Sequence, residues 1–328
     1  MRFFFLVNDA TQLEAKQTTT MLIAAAAEQG HEVLISGVKD LSYSTEGAPL
    51  FRTRRIRKGS KSSRKKLIRA IVKGKINGVT PGPADVVMIR TNPARDISNK
   101  SAHMLALNAA AWCHEKGCRV FNHPRGLVKA SSKLYLLSLP ASVRPKTIVS
   151  HQSEEINLFI ERLGGPAVLK PLQGTRGNDV FFVPSTQGNN YNQIIDVLLR
   201  QGPVMVQEYL PEAEKGDTRV VVLNGEILQK DGKTASVQRV PGKGELRSNI
   251  HAGGSAQPGI ISAPIEEAVK LIGPKLVQDG LFLVGLDFIG GKIIEANVFS
   301  TGGLRDAERF TEVLFAQHVI EEITSLRC

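Results

Sequence analysis

Short apolar segments alternate with longer helical patterns through the first 125 residues, and this alternation constrains the fold more than any other feature. Residues 2–7 predict a buried strand, and residues 13–29 predict an alanine-rich helix that Gly30 ends. Residues 85–90 are strongly apolar, which is typical of a parallel sheet covered on both faces. The pattern therefore predicts an open α/β domain. Its other predicted elements are residues 32–36, 101–116 and 119–122.

After residue 124, strand patterns mix with helical ones and glycine turns join them. This mixture predicts an α+β second half. The predicted helices are residues 127–139, 193–201 and 264–278. The predicted strands are residues 167–170, 180–183, 204–208, 219–223, 226–229, 281–288 and 292–298. Residues 231–258 form the most loop-like segment, and so long a loop in a compact protein is more often functional than accidental.

The composition is that of an ordinary globular protein, because 42% of the 328 residues are hydrophobic and 22% are charged. It excludes a disordered, fibrous or disulfide-stapled chain, and the length suggests about two domains. The longest apolar runs fall far short of the roughly 18 residues that a membrane span needs. The first of these runs, residues 3–7, is also too short for a signal peptide. Three cysteines, an odd number in a long chain, fit a reduced cytoplasmic setting.

The net charge of +11 comes from one stretch, residues 52–75, which contains twelve basic residues and no acid. Of the 42 basic residues in the chain, the other 30 are balanced by 31 acidic ones. Two interpretations stay open: a solvated loop that runs into a short basic helix at residues 65–72, or a patch for a polyanion or an acidic partner. No aromatic residue interleaves with these charges, which argues against nucleic-acid binding by base stacking.

Residues 167–182 have the pattern of strand, glycine loop and strand. No Gly-Lys-Ser/Thr sequence and no helix follow the loop, so it is not the P-loop arrangement. Such a loop can cover a triphosphate with its backbone N–H groups, and Lys170 at the end of the first strand can place an ammonium on a phosphate. The alternative is a plain hairpin with a glycine turn.

A second constellation lies at residues 284–298, where two strand patterns flank a glycine pair. Glu295 and Asn297 are two residues apart and share one face of their strand. Asp287 joins that face if the turn has three residues, 290–292, with a bulge, whereas a two-residue turn would put it on the other face. Oxygen ligands of this kind suit Mg²⁺, whose shell nucleotide phosphates would complete. The alternative is two salt-bridged strand acids.

A set of arginines completes the candidate chemistry, because guanidinium groups grip carboxylates and phosphates at two points. Arg219 is on a predicted strand, Arg90 ends an N-terminal strand, and Arg239 and Arg247 are in the long loop. Each by itself is typical of a surface residue. In the same loop, residues 251–254 (His-Ala-Gly-Gly) supply flexible backbone that can close over a reaction centre.

Taken in order, these motifs resemble those of the bacterial glutathione synthetases, a family of the ATP-grasp superfamily. The resemblance covers residues 85–310 and, more loosely, the first strand and helix. The segments that carry it are Lys170-Pro-Leu-x-Gly174, Gln207-Glu-Tyr-Leu-Pro211, Gly216-Asp-x-Arg-Val220, Arg239-Val-Pro241, Arg247-Ser-Asn-x-His-Ala-Gly-Gly254, Val284-Gly-Leu-Asp287 and Glu295-x-Asn-Val298. Residues 89–93 also resemble the family's substrate-side arginine segment, and residues 122–124 with 132–134 resemble the stretch that leads to its first nucleotide lysine.

The resemblance implies an α/β N-terminal domain followed by an α+β ATP-grasp domain pair, with the nucleotide between two sheets. The implied domains are residues 1–124 (pre-ATP-grasp domain), 125–210 (central lid subdomain) and 211–328 (C-terminal subdomain with the metal site and a mobile loop at 240–254).

It also implies roles for individual residues. The implied ATP ligands are Lys133, Lys170, Gln173, Gly174, Gly177, Gln207, Glu208, Tyr209, Leu210 and Asp217. The implied ligands of Mg²⁺, or of Mn²⁺, are Asp287, Glu295 and Asn297. The implied catalytic residues, which would steady an acyl phosphate, are Arg219 and Arg239. The implied substrate ligands are Arg90, Arg247, Asn249, Gly253 and Gly254.

The implied activity is the ATP-dependent joining of a carboxylate to an amine, with γ-glutamylcysteine and glycine as the expected substrates. Phosphoryl transfer from ATP would give an acyl phosphate that the amine attacks, so no nucleophilic side chain is needed. One alternative is a ligase for another acid and amine, and another is a non-enzymatic nucleotide- or polyanion-binding protein. The expected partners are small-molecule substrates and further copies of the chain in a homo-oligomer, without a membrane.

The chain departs from the family pattern at three places. Thr175-Arg176 stand where smaller residues are usual, residues 299–304 replace a Ser-Pro-Thr type of turn, and the basic stretch 52–75 has no counterpart. These differences leave the ATP and metal roles intact and bear on the identity of the acid and the amine.

Overall fold

The computed structural model of the chain describes residues 1–56, 58–59, 62–172, 174, 179–184, 190–242 and 254–326. In these ranges the strands form sheets of seven, four and six strands and a separate two-stranded ribbon. An α/β part comes first in the chain and two largely antiparallel sheets with helices follow, as the sequence predicts.

The first sheet is parallel at its centre and antiparallel at one edge. Its parallel strands, in spatial order, are β2 (Glu32–Gly37), β1 (Arg2–Val7), β6 (Val86–Ile89) and β7 (Arg119–Phe121). Its antiparallel strands are β3 (Leu41–Tyr43), β4 (Pro49–Ile56) and β5 (Ile76–Val79). Helices cover both faces, which is why β1 is a continuous apolar run rather than an alternating one.

Each face of this sheet has its own helices. The helices α1 (Thr18–Glu28) and α2 (Arg64–Lys73) pack on the face that contains Phe3 and Phe5. The helix α3 (Lys100–Glu115) packs on the face that contains Phe4 and Leu6, and the short α4 (Pro124–Lys129) contributes to the same core.

The middle sheet is antiparallel and has a core of its own. Its strands, in spatial order, are β10 (Phe181–Val183), β9 (Ala167–Pro171), β11 (Val204–Glu208) and β8 (Thr147–Ser150). Two amphipathic helices, α5 (Ser153–Leu163) and α6 (Tyr191–Leu199), bury Ile156, Ile160 and Ile195 against it.

The third sheet carries most of the candidate site. Its strands are β17 (Ser255–Pro258), β16 (Ser236–Val240), β12 (Asp217–Leu223), β18 (Leu283–Ile289) and β19 (Lys292–Asn297) in spatial order, with β13 (Glu226–Ile227) paired to β12. The ribbon consists of β14 (Gln229–Lys230) and β15 (Lys233–Thr234). The remaining helices are α7 (Ala263–Gln278), α8 (Leu304–Thr311) and α9 (Phe315–Ser325).

The first and third sheets share their cores. Val220 and Val222 of β12 belong to the cluster that contains Phe4, whereas Val221 belongs to the cluster that contains Phe3. Because side chains alternate along a strand, β12 contributes to both clusters. The domain boundaries predicted at residues 124/125 and 210/211 stay a prediction.

For several segments, the predicted type of secondary structure is wrong. The helix expected at residues 127–139 is the short α4 followed by a 3₁₀ turn over Lys133–Ser138. The loop expected at residues 231–258 contains β15, β16 and β17, so Arg239 lies on a strand. The loop expected before the basic helix contains β4, whose buried Phe51 and Ile56 are part of the core.

Candidate active site

Two lysines lie together where the middle sheet meets the third. Lys170 is on β9, and its Nζ donates a 3.3 Å hydrogen bond to the carbonyl oxygen of Ile294 on β19. Lys133 begins the 3₁₀ turn, and its Nζ donates a 3.0 Å hydrogen bond to the carbonyl oxygen of Pro171. Lys170 therefore contacts β19 immediately before Glu295, and the charge of Glu295 acts on it.

Both ammonium groups are poorly compensated. Burial lowers the pKa of Lys170 to about 8; the charge of Lys133 adds to this effect, whereas Glu295 and Asp287 oppose it. Burial also lowers the pKa of Lys133, and Glu295 again opposes it. Neither lysine forms an ion pair within the described ranges. Since an unpaired buried charge is costly, an anion bound between these lysines would be stabilised by both.

Asp287 lies at the centre of a buried charge cluster on the third sheet. It is 1% exposed and stands directly opposite Arg219 on β12. Arg219 binds it with two hydrogen bonds, from Nε to Oδ1 and, at 2.7 Å, from Nη2 to Oδ2. Nη2 of Arg239 lies 2.9 Å from the same Oδ2, and Nε of Arg239 donates to Asp217 at 3.0 Å.

This cluster holds two guanidinium groups and two carboxylates, so its formal charges cancel. Burial disfavours the ionised carboxylate, but the charges of Arg219 and Arg239 outweigh burial and lower the pKa of Asp287 to about 2. Gly216, immediately before Asp217, has a φ of +91°, and a Cβ there would lie 1.9 Å from the carbonyl oxygen of Arg239. Glycine therefore allows β12 and β16 to approach each other beside the cluster.

The three predicted metal ligands do meet on adjacent strands. Asp287 is paired with Glu295 across β18 and β19, and Nδ2 of Asn297 donates to Asp287 Oδ2 at 3.2 Å. The connecting turn has two residues, Gly290 and Gly291, rather than the three that the sequence analysis requires for Asp287 to share this face. A bulge lies within the strands, between the pairs Asp287–Glu295 and Phe288–Ile293. It puts Asp287 and Glu295 on the same face of the sheet, as the metal-site prediction requires.

The donor set suits a hard divalent cation, because it offers two carboxylates and an amide that are close together. Glu295 is half-buried, and no ion pair to it forms among the described residues. Asp287 is already bound by two arginines, so a cation would share or replace those contacts. No cluster of three His, Cys, Asp or Glu residues suited to a metal occurs in the part of the chain that the structure describes. The predicted set contains only two such residues and relies on Asn297.

The four residues predicted to hold adenine lie at the end of β11, but two of their side chains serve the fold. Gln207 donates to Thr147 Oγ1 at 3.0 Å, and Glu208 Oε1 accepts from the backbone N–H of Lys146 at 2.8 Å. The ring of Tyr209 contacts Phe182 edge-on, with ring centroids 4.9 Å apart. A nucleotide base would therefore meet the backbone of this segment, residues 207–210, rather than the Gln207 and Glu208 side chains.

Arg90 lies just after β6, and it is buried without an anionic partner among the residues that the structure describes. It is 4% exposed, and it donates to Thr19 Oγ1 at 3.3 Å and to the carbonyl oxygen of Thr301 at 2.8 Å. Burial lowers the pKa of Arg90 to about 10. Arg219 Nη1 reaches the adjacent carbonyl oxygen, of Gly302, at 3.5 Å. The segment that departs from the family pattern, residues 299–304, thus links the candidate substrate arginine to the charge cluster.

Several predicted site residues lie outside the described ranges. They are Gln173, Gly177, Arg247, Asn249 and Gly253. Gly174 is described, and a Cβ there would lie 3.9 Å from Lys133 Nζ, so this glycine lies beside that ammonium. Gly254 directly precedes β17, whose first residue pairs with Val240.

Sequence reasoning missed residues that hold the predicted ones in place. Thr19 and Thr301 contact Arg90, and Thr19 Oγ1 lies 3.4 Å from Ser300 Oγ. Tyr135, two residues after Lys133, donates to Asp279 Oδ2 at 2.7 Å. These threonine, serine and tyrosine residues belong to no recognisable sequence motif, so nothing in the sequence identifies them as part of the site.

Comparisons with known proteins bear on the family and the fold of the chain. The family model for the N-terminal domain of prokaryotic glutathione synthetase matches residues 1–127, and the model for the ATP-grasp domain of the same enzyme matches residues 132–312. The chain is 33% identical to glutathione synthetase of Synechococcus elongatus over 99% of both chains. It is 34% identical to that of Bradyrhizobium diazoefficiens over 69% of this chain and 68% of the relative.

Solved structures show the same fold at lower identity. The ATP-grasp ligase PsnB complexed with minimal precursor has a TM-score of 0.63 and 17% identity, and the match covers 98% of each chain. D-cycloserine synthetase DcsG has a TM-score of 0.59 and 16% identity, covering 97% of this chain and 99% of that one.

The chain therefore has the fold of an ATP-grasp ligase, and it is an ATP-dependent C–N ligase. It belongs to the prokaryotic glutathione synthetase family. The predicted resemblance, fold class and enzyme class are confirmed. Across the described ranges, none of the helices combines the length and the apolar character needed to cross a bilayer.

Proposed function

We propose that the protein joins γ-glutamylcysteine to glycine with ATP, giving glutathione, ADP and phosphate. One observation carries the proposal beyond family membership: Lys170 of the middle sheet is hydrogen-bonded beside Glu295 of the third sheet. This contact supports a single nucleotide site between the two sheets, with lysines on one side and metal ligands on the other.

In this proposal Lys133 and Lys170 bind the phosphates of ATP. Their pKa values are lowered in the ligand-free chain because burial disfavours their charges. A polyphosphate supplies the missing counter-charge, so both ammonium groups are more stable in the complex. Binding and orienting the triphosphate is the main contribution of this side of the cleft.

Asp287, Glu295 and Asn297 would hold Mg²⁺, or Mn²⁺, at the phosphates. When bound, a divalent cation neutralises charge that develops on the transferred phosphoryl group. Arg219 and Arg239 already lie against Asp287, so they would bring positive charge to the same place. Their planar guanidinium groups bind phosphate and carboxylate oxygens at two points and would steady the acyl phosphate.

Arg90 would bind a carboxylate of the acid substrate. Its buried guanidinium has only neutral oxygens as hydrogen-bond partners among the described residues, which leaves its charge uncompensated. A substrate carboxylate would compensate that charge and position the acid beside the charge cluster. Arg247, Asn249, Gly253 and Gly254 would complete the substrate site from the predicted loop 240–254, which would exclude water from the acyl phosphate.

A second candidate is a ligase of the same mechanism for a different acid and amine. The segment at residues 299–304 favours it, because this segment departs from the family pattern and its Thr301 contacts Arg90. A change in this segment alters the surroundings of the arginine proposed to bind the acid.

A phosphate-release assay tests both candidates. The protein is incubated with ATP, Mg²⁺ and a matrix of acids and amines, and each product is identified by mass spectrometry. The proposal expects release that requires both γ-glutamylcysteine and glycine. Release with another pair, but not with this one, would support the second candidate. Release without any amine would indicate hydrolysis of the acyl phosphate rather than ligation.

A further inference from the structure

Two cysteines outside the candidate site lie side by side at the end of α3. The helix ends in a Schellman motif, in which Cys118 N donates to Cys113 O at 2.9 Å and Gly117 N donates to His114 O at 3.0 Å. Gly117 has a φ of +88°, as this motif requires. Such motifs place a contact between the side chains of the two outer residues, and here both outer residues are cysteines.

Both cysteines are buried and belong to the same apolar cluster. Cys113 is fully buried and Cys118 is 3% exposed. The interaction with Cys113 lowers the pKa of Cys118; burial and Asp85 oppose this effect, and Arg2 adds to it. The same interaction raises the pKa of Cys113. Of the pair, Cys118 is therefore the thiol that ionises more easily.

Cys118 also lies close to the protein surface. Its Sγ donates to the carbonyl oxygen of Gly82 at 3.0 Å, and the next two residues of that loop, Pro83 and Ala84, are exposed. The nearby Arg2 side chain is 40% exposed while it binds Asp85. A molecule the size of water thus needs only a local opening of the loop at residues 82–84 to reach Cys118.

We propose that Cys113 and Cys118 form a reversible dithiol–disulfide pair that hydrogen peroxide oxidises within one chain. A disulfide needs Cα atoms within roughly 4.4–6.8 Å, and the direct backbone hydrogen bond between the two residues holds them close together before oxidation. The fold need not change, because the motif already brings the two side chains into contact. Neither residue has a role in the proposed ligation.

The oxidation balances in two steps. The Cys118 thiolate attacks one peroxide oxygen, an S–O bond forms, the O–O bond breaks, and the departing hydroxide takes up a proton as water. The Cys113 sulfur then attacks the Cys118 sulfur and loses its proton. An S–S bond forms, the S–O bond breaks, and a second water leaves. The two thiols lose two electrons in all, and the peroxide gains them. An added thiol reverses the bridge by exchange.

Tryptic mapping of the full chain tests the proposal, because trypsin cuts after Lys116 and separates the two cysteines. Reduced protein is treated with peroxide, alkylated and digested without reductant. The expected result is a linked pair of peptides, residues 101–116 and 117–119, that dithiothreitol separates again. The intact chain should lose the mass of two hydrogen atoms. Its circular dichroism should stay unchanged.

Two variants sharpen the result. In a Cys328→Ser background the third cysteine cannot compete for either partner. Adding Cys113→Ala removes the resolving thiol, so dimedone should then label Cys118. Full alkylation of both cysteines after peroxide, or linked peptides only between separate chains, would overturn the proposal. The readout is covalent mass, so it is independent of whether the chain makes glutathione.

Discussion

The ammonium of Lys170 on the middle sheet donates a hydrogen bond to the carbonyl oxygen of Ile294 on the third sheet. The next residue, Glu295, is a proposed metal ligand, and its charge acts on Lys170. One lysine therefore connects the two sheets between which the nucleotide is proposed to bind. Its protonation should be linked to nucleotide binding.

Nucleotide affinity should depend on pH through Lys170. Burial lowers its pKa to about 8 in the ligand-free chain, and phosphates would shift it back toward the usual value. Below pH 8 the group is protonated in both states and contributes no pH dependence. Above pH 8 binding must take up a proton, so affinity should fall by as much as about tenfold per pH unit.

Calorimetry of ADP binding in buffers of different ionisation enthalpy measures this proton uptake directly. Lys170→Arg is the matched control, because arginine stays charged throughout this range and should remove the uptake. Equal uptake in the variant and the parent chain would assign the proton to another group.

Glu295→Gln should abolish most turnover and leave the fold intact. The amide keeps the shape of the side chain but removes a charged metal ligand, and we expect a loss of about 100-fold or more. Steady-state phosphate release at several Mg²⁺ concentrations measures the effect. Because Glu295 opposes the lowering of the Lys170 pKa, that pKa should fall further in the variant. Proton uptake on ADP binding should therefore begin at a lower pH than in the parent chain. Unchanged activity would contradict the metal assignment.

Arg90→Met should weaken binding of the acid substrate far more than binding of ATP. A hydrogen-bonded charge pair is worth about 1.5–3 kcal/mol, so the KM for the acid should rise on the order of 10–100-fold. The thermal midpoint should not fall, because methionine removes a buried charge whose described hydrogen-bond partners are neutral. An equal rise in both KM values would indicate general damage to the site.

The sequence predicted the strands that carry the chemistry better than the segments between them. β1 and β11 match their predicted ranges, because each contains a short apolar run, residues 3–7 and 204–206. The helix at residues 127–139 is wrong because Ser131 and Ser132 interrupt it, and the Ser132 side chain caps a 3₁₀ turn instead. Strand β16 lies in a segment that the sequence predicts as loop, because its pairing with β12 and β17 is non-local.

For the candidate site, the sequence predicts members, which stay a prediction, but it does not predict how their side chains pair. Motif order identified Asp287, Arg219 and Arg239, yet nothing in the sequence shows that both arginines bind the same carboxylate. That contact depends on β12 lying between β16 and β18, which is a property of the sheet. The bulge that brings Asp287 opposite Glu295 likewise follows from strand packing rather than from the glycine pair.

The basic stretch should be dispensable for catalysis. Its exposed residues on α2 include Lys65, Lys66, Arg69 and Lys73, whereas Leu67 and Ile71 are core residues. Deleting the stretch would remove β4 and unfold the domain, so charge replacement is the proper test. Changing these four residues to glutamine should leave kcat and KM within about twofold, since surface substitutions rarely exceed 0.5 kcal/mol. A large loss of turnover would assign the stretch a role in the reaction.

Tyr135 should position Lys133 rather than take part in the chemistry. Its hydroxyl donates to Asp279, which also binds Lys129 and Lys275, so α7 anchors the 3₁₀ turn that Lys133 begins. Tyr135→Phe removes this one bond and should cost about 1–2 kcal/mol of stability. The KM for ATP should rise several-fold while the KM for the acid stays constant, because Arg90 follows β6 of the first sheet and is not held by this turn. Equal KM values in the variant and the parent, with only stability reduced, would show that the bond is structural alone.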